Sequence, residues 1–316
     1  MLRYIVGRVL QAVLVLWAAY TVTYLILYVL PGDTLVYLLA TNDQQIDALS
    51  PEELQQVKAY YGLTRGPVEQ YFVNLTGILS GDFGTSATKS QSVNDMVFSR
   101  LPSTALLGAT SVLFALILGL AIAITATYVR WRPLKVFLSR LPVLGVSLPS
   151  FWVGLLLIQL VAFNLGWLPS SGSNGWKSLI LPSLTMSLPS AAMLAQVLIR
   201  SLEDTMREPF IQTAKAKGIS HFAVYTRHAL KNAALPTLTI LGLLVGATVT
   251  GAVTTETVFS RVGIGRLAQE AVLAQDIPVV LAIVVIAAAA FVLVNLVVDL
   301  LYLVLDPRVR HSVKVN

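Results

Sequence analysis

Long apolar stretches recur along the chain, and the segments between them carry most of its charged residues. A helix needs roughly 20 apolar residues to cross the hydrocarbon core of a bilayer. Six stretches reach that length: residues 9–30, 103–128, 136–163, 179–199, 235–258 and 279–305. The pattern predicts an all-α polytopic membrane protein with six transmembrane helices. Prolines inside the third and fourth stretches permit kinks: Pro142, Pro149, Pro182 and Pro189.

Composition excludes several classes of protein. Of the 316 residues, 56% are apolar and 12% are charged, whereas soluble domains carry about 25% charged residues. So few charges cannot keep a surface of this size in water, which excludes a soluble enzyme, a nucleic-acid-binding module and a disordered chain. The chain has no cysteine, which excludes disulfides, thiolate metal sites and iron–sulfur clusters.

The distribution of charge predicts the orientation in the membrane. Six spans place both termini on one side, and that side carries 15 basic and four acidic residues. The other side carries seven basic and 11 acidic residues, and one more acid, Asp299, lies inside the last span. The positive-inside rule therefore predicts cytoplasmic termini. For Asp299 we favour a structural acid with a local partner over a proton relay.

The spans divide the chain into four parts. Residues 1–30 form the N-terminal tail and first span, 31–101 an external helical cap, 102–305 a five-helix core with a cytoplasmic loop at 200–235, and 306–316 the C-terminal tail. In the cap, Ser50 and Pro51 predict the start of one helix. A second helix starts at Pro67, and a turn over residues 81–84 ends it. Its predicted buried side chains are Tyr71, Phe72, Leu75, Ile78 and Leu79.

The loop at 200–235 has the pattern of two short helices joined by a glycine. Pro209 suits the first turn of a helix, Gly218 suits a left-handed residue that ends it, and Ser220 suits the N-cap of the next helix. Two interpretations remain open. The loop is either a structured connection over the base of the bundle or a helix presented to a cytoplasmic partner.

The fifth span combines small residues with hydroxyl groups. Because successive helical residues are about 100° apart, Thr250 and Thr254 share one face while Thr248 and Thr255 share another. We predict a translocation path along the first face, although hydrogen bonds between helices also explain such hydroxyls. We assign to helix packing the second face and its small neighbours: Gly242, Gly246, Ala247, Thr248, Gly251 and Thr255.

Several chemistries are missing from the sequence. All three histidines lie in predicted cytoplasmic segments, so a haem inside the bundle is not expected. There is no phosphate-binding loop for ATP and no zinc-protease motif. With so few intramembrane acids, a carrier of this composition needs its energy from elsewhere. A stand-alone secondary carrier is therefore the less favoured alternative.

The glycines of Gly263-Ile264-Gly265 are too few for a phosphate-binding loop, and we interpret the segment as a short glycine turn.

The cytoplasmic loop resembles the EAA loop of binding-protein-dependent ABC importer permeases, specifically the first (B-type) permease subunit of the peptide/nickel (oligopeptide/dipeptide) branch. The resemblance rests on Gln212-Thr213-Ala214-Lys215-Ala216-Lys217-Gly218, and on the run from Arg227 to Pro236. The general pattern has glutamate where this chain has Gln212, and its interval from glycine to proline is five residues shorter. Further landmarks agree along the chain, among them Pro31-Gly32-Asp33, Gly81-Asp82-Phe83-Gly84, Pro149-Ser150-Phe151, Glu256 with Phe259, Asp276-Ile277-Pro278 and Asp306-Pro307-Arg308.

The resemblance implies a type I importer permease in the bacterial plasma membrane that works by alternating access. Residues 212–218 would couple it to one of two cytoplasmic ATPases. A second similar permease would complete the path, and an external substrate-binding protein would dock on the cap. The chain itself would be non-catalytic and bind no cofactor, since ATP and magnesium belong to the ATPases. The implied substrate is a di- or oligopeptide, with nickel, opines or haem as alternatives within the branch.

Single cysteines in this cysteine-free chain test the predicted orientation. Cysteines near Lys58 and Lys89 should react with a membrane-impermeant maleimide added outside intact cells, because the charge count places these residues outside. Cysteines near Lys215 and His311 should react only after the membrane is permeabilised. Labelling of Lys215→Cys from outside would overturn the six-span arrangement and every partner argument that depends on it.

Overall fold

The computed structural model describes residues 2–29, 50 and 66–305. In that part of the chain the structure is helical apart from turns, loops and an isolated bridge between Thr85 and Ser92. The helices are α1 (Leu2–Tyr24), α2 (Pro67–Leu79), α3 (Val93–Phe98), α4 (Leu101–Tyr128), α5 (Arg132–Ser147), α6 (Ser150–Leu157), α7 (Lys177–Thr205), α8 (Pro209–Ala216), α9 (His221–Ala223), α10 (Leu230–Val258), α11 (Ile264–Leu273) and α12 (Ile277–Leu305). Short π-helical segments extend α1 (Leu25–Val29), extend α6 (Ile158–Asn164) and join α9 to α10 (Val224–Ala229).

Helices occupy all six stretches that the hydrophobic pattern marks as spans. Among the described residues, four helical segments are long and apolar enough to cross a membrane: Val6–Leu27, Val93–Tyr128, Lys177–Thr205 and Ile277–Val297. A bent pair of helices, α5 with the extended α6, could supply a fifth. The prediction of an all-α membrane protein is therefore confirmed. The number six and the sidedness of the termini stay predictions.

The third predicted span is not one continuous helix, which corrects the sequence-based expectation. It breaks between α5 and α6, whose axes differ by 103°. Leu148 at the break is extended, with φ −84° and ψ 131°, because the ring of Pro149 disfavours helical backbone in the residue before it. The other prolines do not interrupt their helices. Pro142 lies inside α5, and α7 continues through Pro182 and Pro189.

The chain forms two compact units. One comprises Ser103–Gly265 with the segment from Leu293 onward, and the other comprises Leu2–Pro102 with Arg266–Val292. In the first unit, α7 is the central helix and packs against α5, α6 and α10. Small residues let these helices approach closely. A Cβ added to Gly145 of α5 would lie 2.8 Å from the Cβ of Ala192 on α7.

The second unit has a core of tyrosines. Tyr20 and Tyr24 of α1 are each 2% exposed and pack with Leu281 of α12. Their hydroxyl groups donate 2.6 Å hydrogen bonds to the backbone oxygens of Tyr71 and Pro67, respectively. The helix predicted to start at Pro67 is thereby confirmed and fastened to α1.

The predicted buried face of that helix is only partly right. Tyr71, Leu75 and Ile78 pack against the tyrosine core, but Phe72 is 58% exposed and Leu79 is 78% exposed. Three of the five residues already cover the tyrosines, and the other two face away from them. The helix predicted from Ser50 and Pro51 lies outside the described residues, as does the C-terminal tail 306–316.

Candidate functional site

The loop at 200–235 has the predicted helix–glycine–helix form. Helix α8 starts with Pro209 in its first turn, and the helical segment after Gly218 has Ser220 as its N-cap. Gly218 has φ +74°, a left-handed conformation that glycine adopts at little cost. Its N–H donates to Lys215 O at 3.0 Å, and the next N–H donates to Ala214 O at 3.3 Å. These bonds satisfy carbonyls that the end of α8 would otherwise leave open.

Two buried side chains anchor helix α8, and its other side chains are exposed. Ile211 is fully buried and Ala214 is 6% exposed. They join one apolar cluster, called the loop core, which unites the loop with the adjoining ends of three long helices. The loop core contains Ala123, Ala126, Leu198, Ile199, Leu202, Ile211, Ala214, Val224, Tyr225, Ala229 and Ala233. The other predicted coupling residues are all exposed: Gln212, Thr213, Lys215, Ala216, Lys217 and Gly218.

A tyrosine fastens the loop to the end of α4. Tyr225 is 2% exposed, and its hydroxyl shares a hydrogen bond with the hydroxyl of Thr127. Its ring also meets the edge of Tyr128, with the centroids 5.5 Å apart. Burial raises the pKa of Tyr225, and the hydrogen bond from Thr127 opposes that rise only in part. The phenol therefore stays neutral at physiological pH. Tyr225 therefore joins the loop to the end of α4 by a hydrogen bond and a ring contact.

The predicted hydroxyl faces of the fifth span differ in burial. Thr248 and Thr255 of α10 are 9% and 3% exposed, whereas Thr250 and Thr254 are both exposed in this chain. Gly242 is buried, Gly246 is half-buried, and a Cβ on Gly251 would lie 3.6 Å from Cγ of Met186. Ala247, which we assigned to packing, is exposed. The assignment of the path to Thr250 and Thr254 stays a prediction.

Helix α4, in the same unit, exposes large apolar side chains. Along α4 they include Leu106, Leu113 and Ile117, each more than half exposed. Such a surface suits lipid chains, which form no hydrogen bonds. Among the described side chains of α10, no large apolar residue is exposed. The exposed described side chains of α10 include the hydroxyl-bearing Thr250 and Thr254.

A buried polar network surrounds Glu256, and the sequence alone did not predict it. Glu256, at the C-terminal end of α10, is fully buried. Its Oε1 accepts a 2.6 Å hydrogen bond from the hydroxyl of Thr104, which in turn accepts one of 2.8 Å from the N–H of Ile264. The alternation of apolar and small residues could not show this network, because Thr104 and Glu256 are 152 positions apart.

Two glycines fit against this network. A Cβ added to Gly263 would collide with all three atoms of the Glu256 carboxylate, and one added to Gly265 would lie 2.6 Å from the backbone nitrogen of Val253. The segment Gly263-Ile264-Gly265 is therefore more than the short turn we predicted. Glycine is required at both positions because the backbone passes directly against the end of α10.

Arg261 supplies the positive charge beside Glu256. It is 3% exposed, and its Nη1 donates to Ser178 O at 2.9 Å. Burial lowers the pKa of its guanidinium, and the negative charge of Glu256 raises it. The guanidinium stays charged because its ordinary pKa lies far above neutral pH. Glu256 thus joins the end of α10 to α4 through Thr104, and Arg261 joins the segment after α10 to α7 through Ser178 O.

The described part of the chain contains no group of three or more histidines, cysteines or acids arranged to hold a metal ion. The side chain of Asp299 lies outside the described residues, so its role stays a prediction.

Gly263→Ala tests the network independently of any activity. The added methyl should displace the Glu256 carboxylate and cost about 1–3 kcal/mol, as overpacking does in tight interiors. Glu256→Ala should also destabilise the protein, since it leaves the Thr104 hydroxyl without its acceptor and removes the negative charge that favours charged Arg261. The double variant should be no less stable than Glu256→Ala alone, because the collision needs the carboxylate.

The measurement is the midpoint of thermal unfolding of the purified protein. Gly7→Ala is the matched control, because a Cβ there meets nothing within 4 Å. Additive losses in the double variant would show that Gly263 is required for a reason other than its contact with Glu256.

Two family models match the chain. The model described as "Binding-protein-dependent transport system inner membrane component" covers residues 84–311. The model described as "Binding-prot-dependent transport system membrane comp, N-term" covers residues 1–108. Together they span both the cap and the helical core.

Known proteins agree with these models. The glutathione transport system permease protein GsiC of Salmonella choleraesuis (strain SC-B67) is 36% identical over 314 residues, which cover 99% of this chain and 100% of that protein. The same-named protein of Escherichia coli (strain K12) is 34% identical over 313 residues, with the same coverage. A structure titled "Crystal structure of an amino acid ABC transporter with histidines" aligns with a TM-score of 0.52 at 17% identity, over 65% of this chain and 92% of that chain. At this identity the likeness concerns the fold alone. The chain therefore belongs to the binding-protein-dependent ABC importer permeases of the inner membrane, in their peptide/nickel branch.

Proposed function

We propose that this permease subunit imports di- or oligopeptides and receives the energy of ATP hydrolysis through α8. The observation that carries the proposal is the helix–glycine–helix form of the loop at 200–235. A short helix is anchored by Ile211 and Ala214 and leaves its other faces open. The exposed residues among 212–218 would then meet a groove on a cytoplasmic ATPase.

The substrate class is supported by the relatives. The proteins that match over nearly the whole chain are named for glutathione, which is a tripeptide. A peptide carries many hydrogen-bonding groups and varies in its side chains, so it suits a path lined by hydroxyls better than one lined by fixed charges. The hydroxyls of Thr250 and Thr254 on the exposed face of α10 are the proposed lining.

The proposed partners follow from the family. A second permease would supply the other half of the path, two ATPases would bind ATP and magnesium, and an external binding protein would deliver the substrate. ATP binding would bring the ATPases together and move α8. The loop core would carry that movement to α4, α7 and α10, because it contains residues of all three helices. Hydrolysis would reset the system.

Substitutions of Gly218 test the coupling role. Gly218→Val should reduce peptide uptake more than tenfold, because a left-handed backbone costs an L-residue about 1–2 kcal/mol and a β-branched residue more. Gly218→Asn should keep most of the uptake, since asparagine tolerates this conformation. Space is not the cause of the defect, because a Cβ at this position meets nothing within 4 Å.

Three measurements separate coupling from folding. The amount of Gly218→Val in the membrane should equal wild type, while co-purification of the ATPase and stimulation of ATP hydrolysis should fall. Normal uptake by Gly218→Val would refute the role of α8. Normal coupling without peptide uptake by the wild-type complex would instead refute the substrate class.

Bulky residues on the two faces of α10 test the path. Thr250→Trp and Thr254→Trp should block uptake and leave assembly of the complex intact, because these side chains are exposed in this chain. Thr248→Trp should impair folding or assembly, because Thr248 is 9% exposed and tight interiors do not accept a large ring. Normal uptake by Thr250→Trp, or the opposite pattern on the two faces, would refute the path assignment.

A further inference from the structure

A small cavity lies between α2, the turn that follows it and the start of α12. Its volume is about 180 Å³. The apolar wall includes Val73, Ile78, Phe83 and Leu281, and the polar edge is formed by Asn74 and Asp82. Sites for small molecules measure about 300–1,000 Å³. The cavity is therefore the size of a single side chain and too small for a peptide in transit.

The turn at residues 81–84 forms one wall of the cavity, and its glycines and hydrogen bonds restrain its backbone. Gly81 and Gly84 have φ of +81° and +80°, which only glycine adopts without strain. The Asn94 side chain accepts from Phe83 N–H at 2.9 Å and donates to Gly81 O at 2.6 Å. These bonds fix Phe83 in the wall of the cavity.

Residues 86–88, which follow the turn, are held by hydrogen bonds to Asp276. The carboxylate of Asp276, which is 2% exposed, accepts hydrogen bonds from Ser86 Oγ at 2.5 Å and Thr88 Oγ1 at 2.7 Å. It also accepts from the N–H groups of Ala87 and Thr88. Bonds to a charged acceptor are stronger than neutral ones. These bonds hold the segment after the turn against residue 276, next to Pro278 in the cavity wall, and a preorganised wall lowers the cost of binding.

Charge around the cavity favours a cation. From Gly66 to Thr88 the charged side chains are Glu69 and Asp82, both acidic and both exposed. Asp82 uses one carboxylate oxygen, Oδ1, to accept from the N–H of Gly84 at 2.9 Å, so the carboxylate retains further acceptor positions. Lys89, the first base after Asp82 along the chain, pairs with Glu270 at 3.4 Å.

We propose that this cavity receives a lysine or arginine side chain of the external substrate-binding protein. Such a side chain lays its apolar stem along apolar surface and keeps its charge at the edge. Here the stem would contact Val73 and Phe83, and the cationic head would pair with Asp82. The proposal rests on the proposed function, because it requires an importer that is loaded by a binding protein on the side where the charge count places the cap.

Val73→Trp tests the cavity in the assembled transporter in nanodiscs. Val73 is 38% exposed and lines the cavity, so an indole there should fill it. The Kd of the system's own binding protein should rise about tenfold, as expected when a side chain loses its pocket. Val68→Trp is the matched control, because Val68 lies on the same helix, is 72% exposed and does not line the cavity. Its Kd should stay within about twofold of wild type.

Asp82→Asn tests the charge separately. Asparagine keeps an acceptor for the Gly84 N–H and removes the negative charge. The Kd should rise several-fold at low salt, and the difference from wild type should shrink at about 1 M salt, where exposed charges are screened. A Kd equal to wild type at low salt would overturn the part of the proposal that names a basic side chain.

A photo-reactive probe on Val73→Cys identifies the occupant directly, because the chain has no other cysteine. A cross-link to the binding protein supports the proposal. A cross-link only within the permease would show that the chain's own residues fill the cavity, and would overturn it. Wild-type complex that does not bind the binding protein would refute the proposed function. Binding by wild type with equal Kd for Val73→Trp and Val68→Trp would refute this inference alone.

Discussion

The packing between the loop at 200–235 and the ends of three long helices fixes the position of α8 in this permease. Ile211 and Ala214 of α8 lie in the same apolar cluster as residues of α4, α7 and α10. Burying one isoleucine contributes about 1.5–3 kcal/mol, so α8 does not separate from the bundle under small forces. Because protein interiors are close-packed, this contact leaves little empty space around Ile211 and Ala214.

The two ends of α10 are held by different kinds of contact. Near its start the loop core is apolar, apart from the hydroxyl pair of Tyr225 and Thr127. At its far end, Glu256, Thr104 and the backbone at Ile264 form directional hydrogen bonds, with Gly263 packed on the carboxylate. Apolar contacts depend mainly on area, whereas hydrogen bonds weaken steeply when their angle changes. A change of helix angle therefore costs less at the loop end than at the Glu256 end.

The sequence predicts those features that depend on neighbouring residues. The left-handed Gly218, the N-cap at Ser220 and the start of α2 at Pro67 all follow from local backbone preferences, and the structure confirms them. Contacts between distant residues were not predictable in this way. The hydrogen bond of Thr104 to Glu256 and the binding of residues 86–88 by Asp276 join positions more than 150 residues apart. Gly263 and Gly265 therefore read as an ordinary turn, although both are required by contact with α10.

At the break in the third predicted span, the local effect of a proline opposes the hydrophobic pattern of the whole segment. The hydrophobic pattern continues across residues 136–163 and predicts one helix, while Pro149 locally disfavours helix at Leu148. Pro142, Pro182 and Pro189 exert the same local effect, yet their helices continue. A proline inside a helix removes one backbone hydrogen bond and crowds the preceding turn, and neighbouring helices can compensate. Pro182 in α7 and Pro142 in α5 are buried, whereas Leu148 is 40% exposed. Packing thus preserves the helix where neighbours surround the proline, and the chain breaks where they do not.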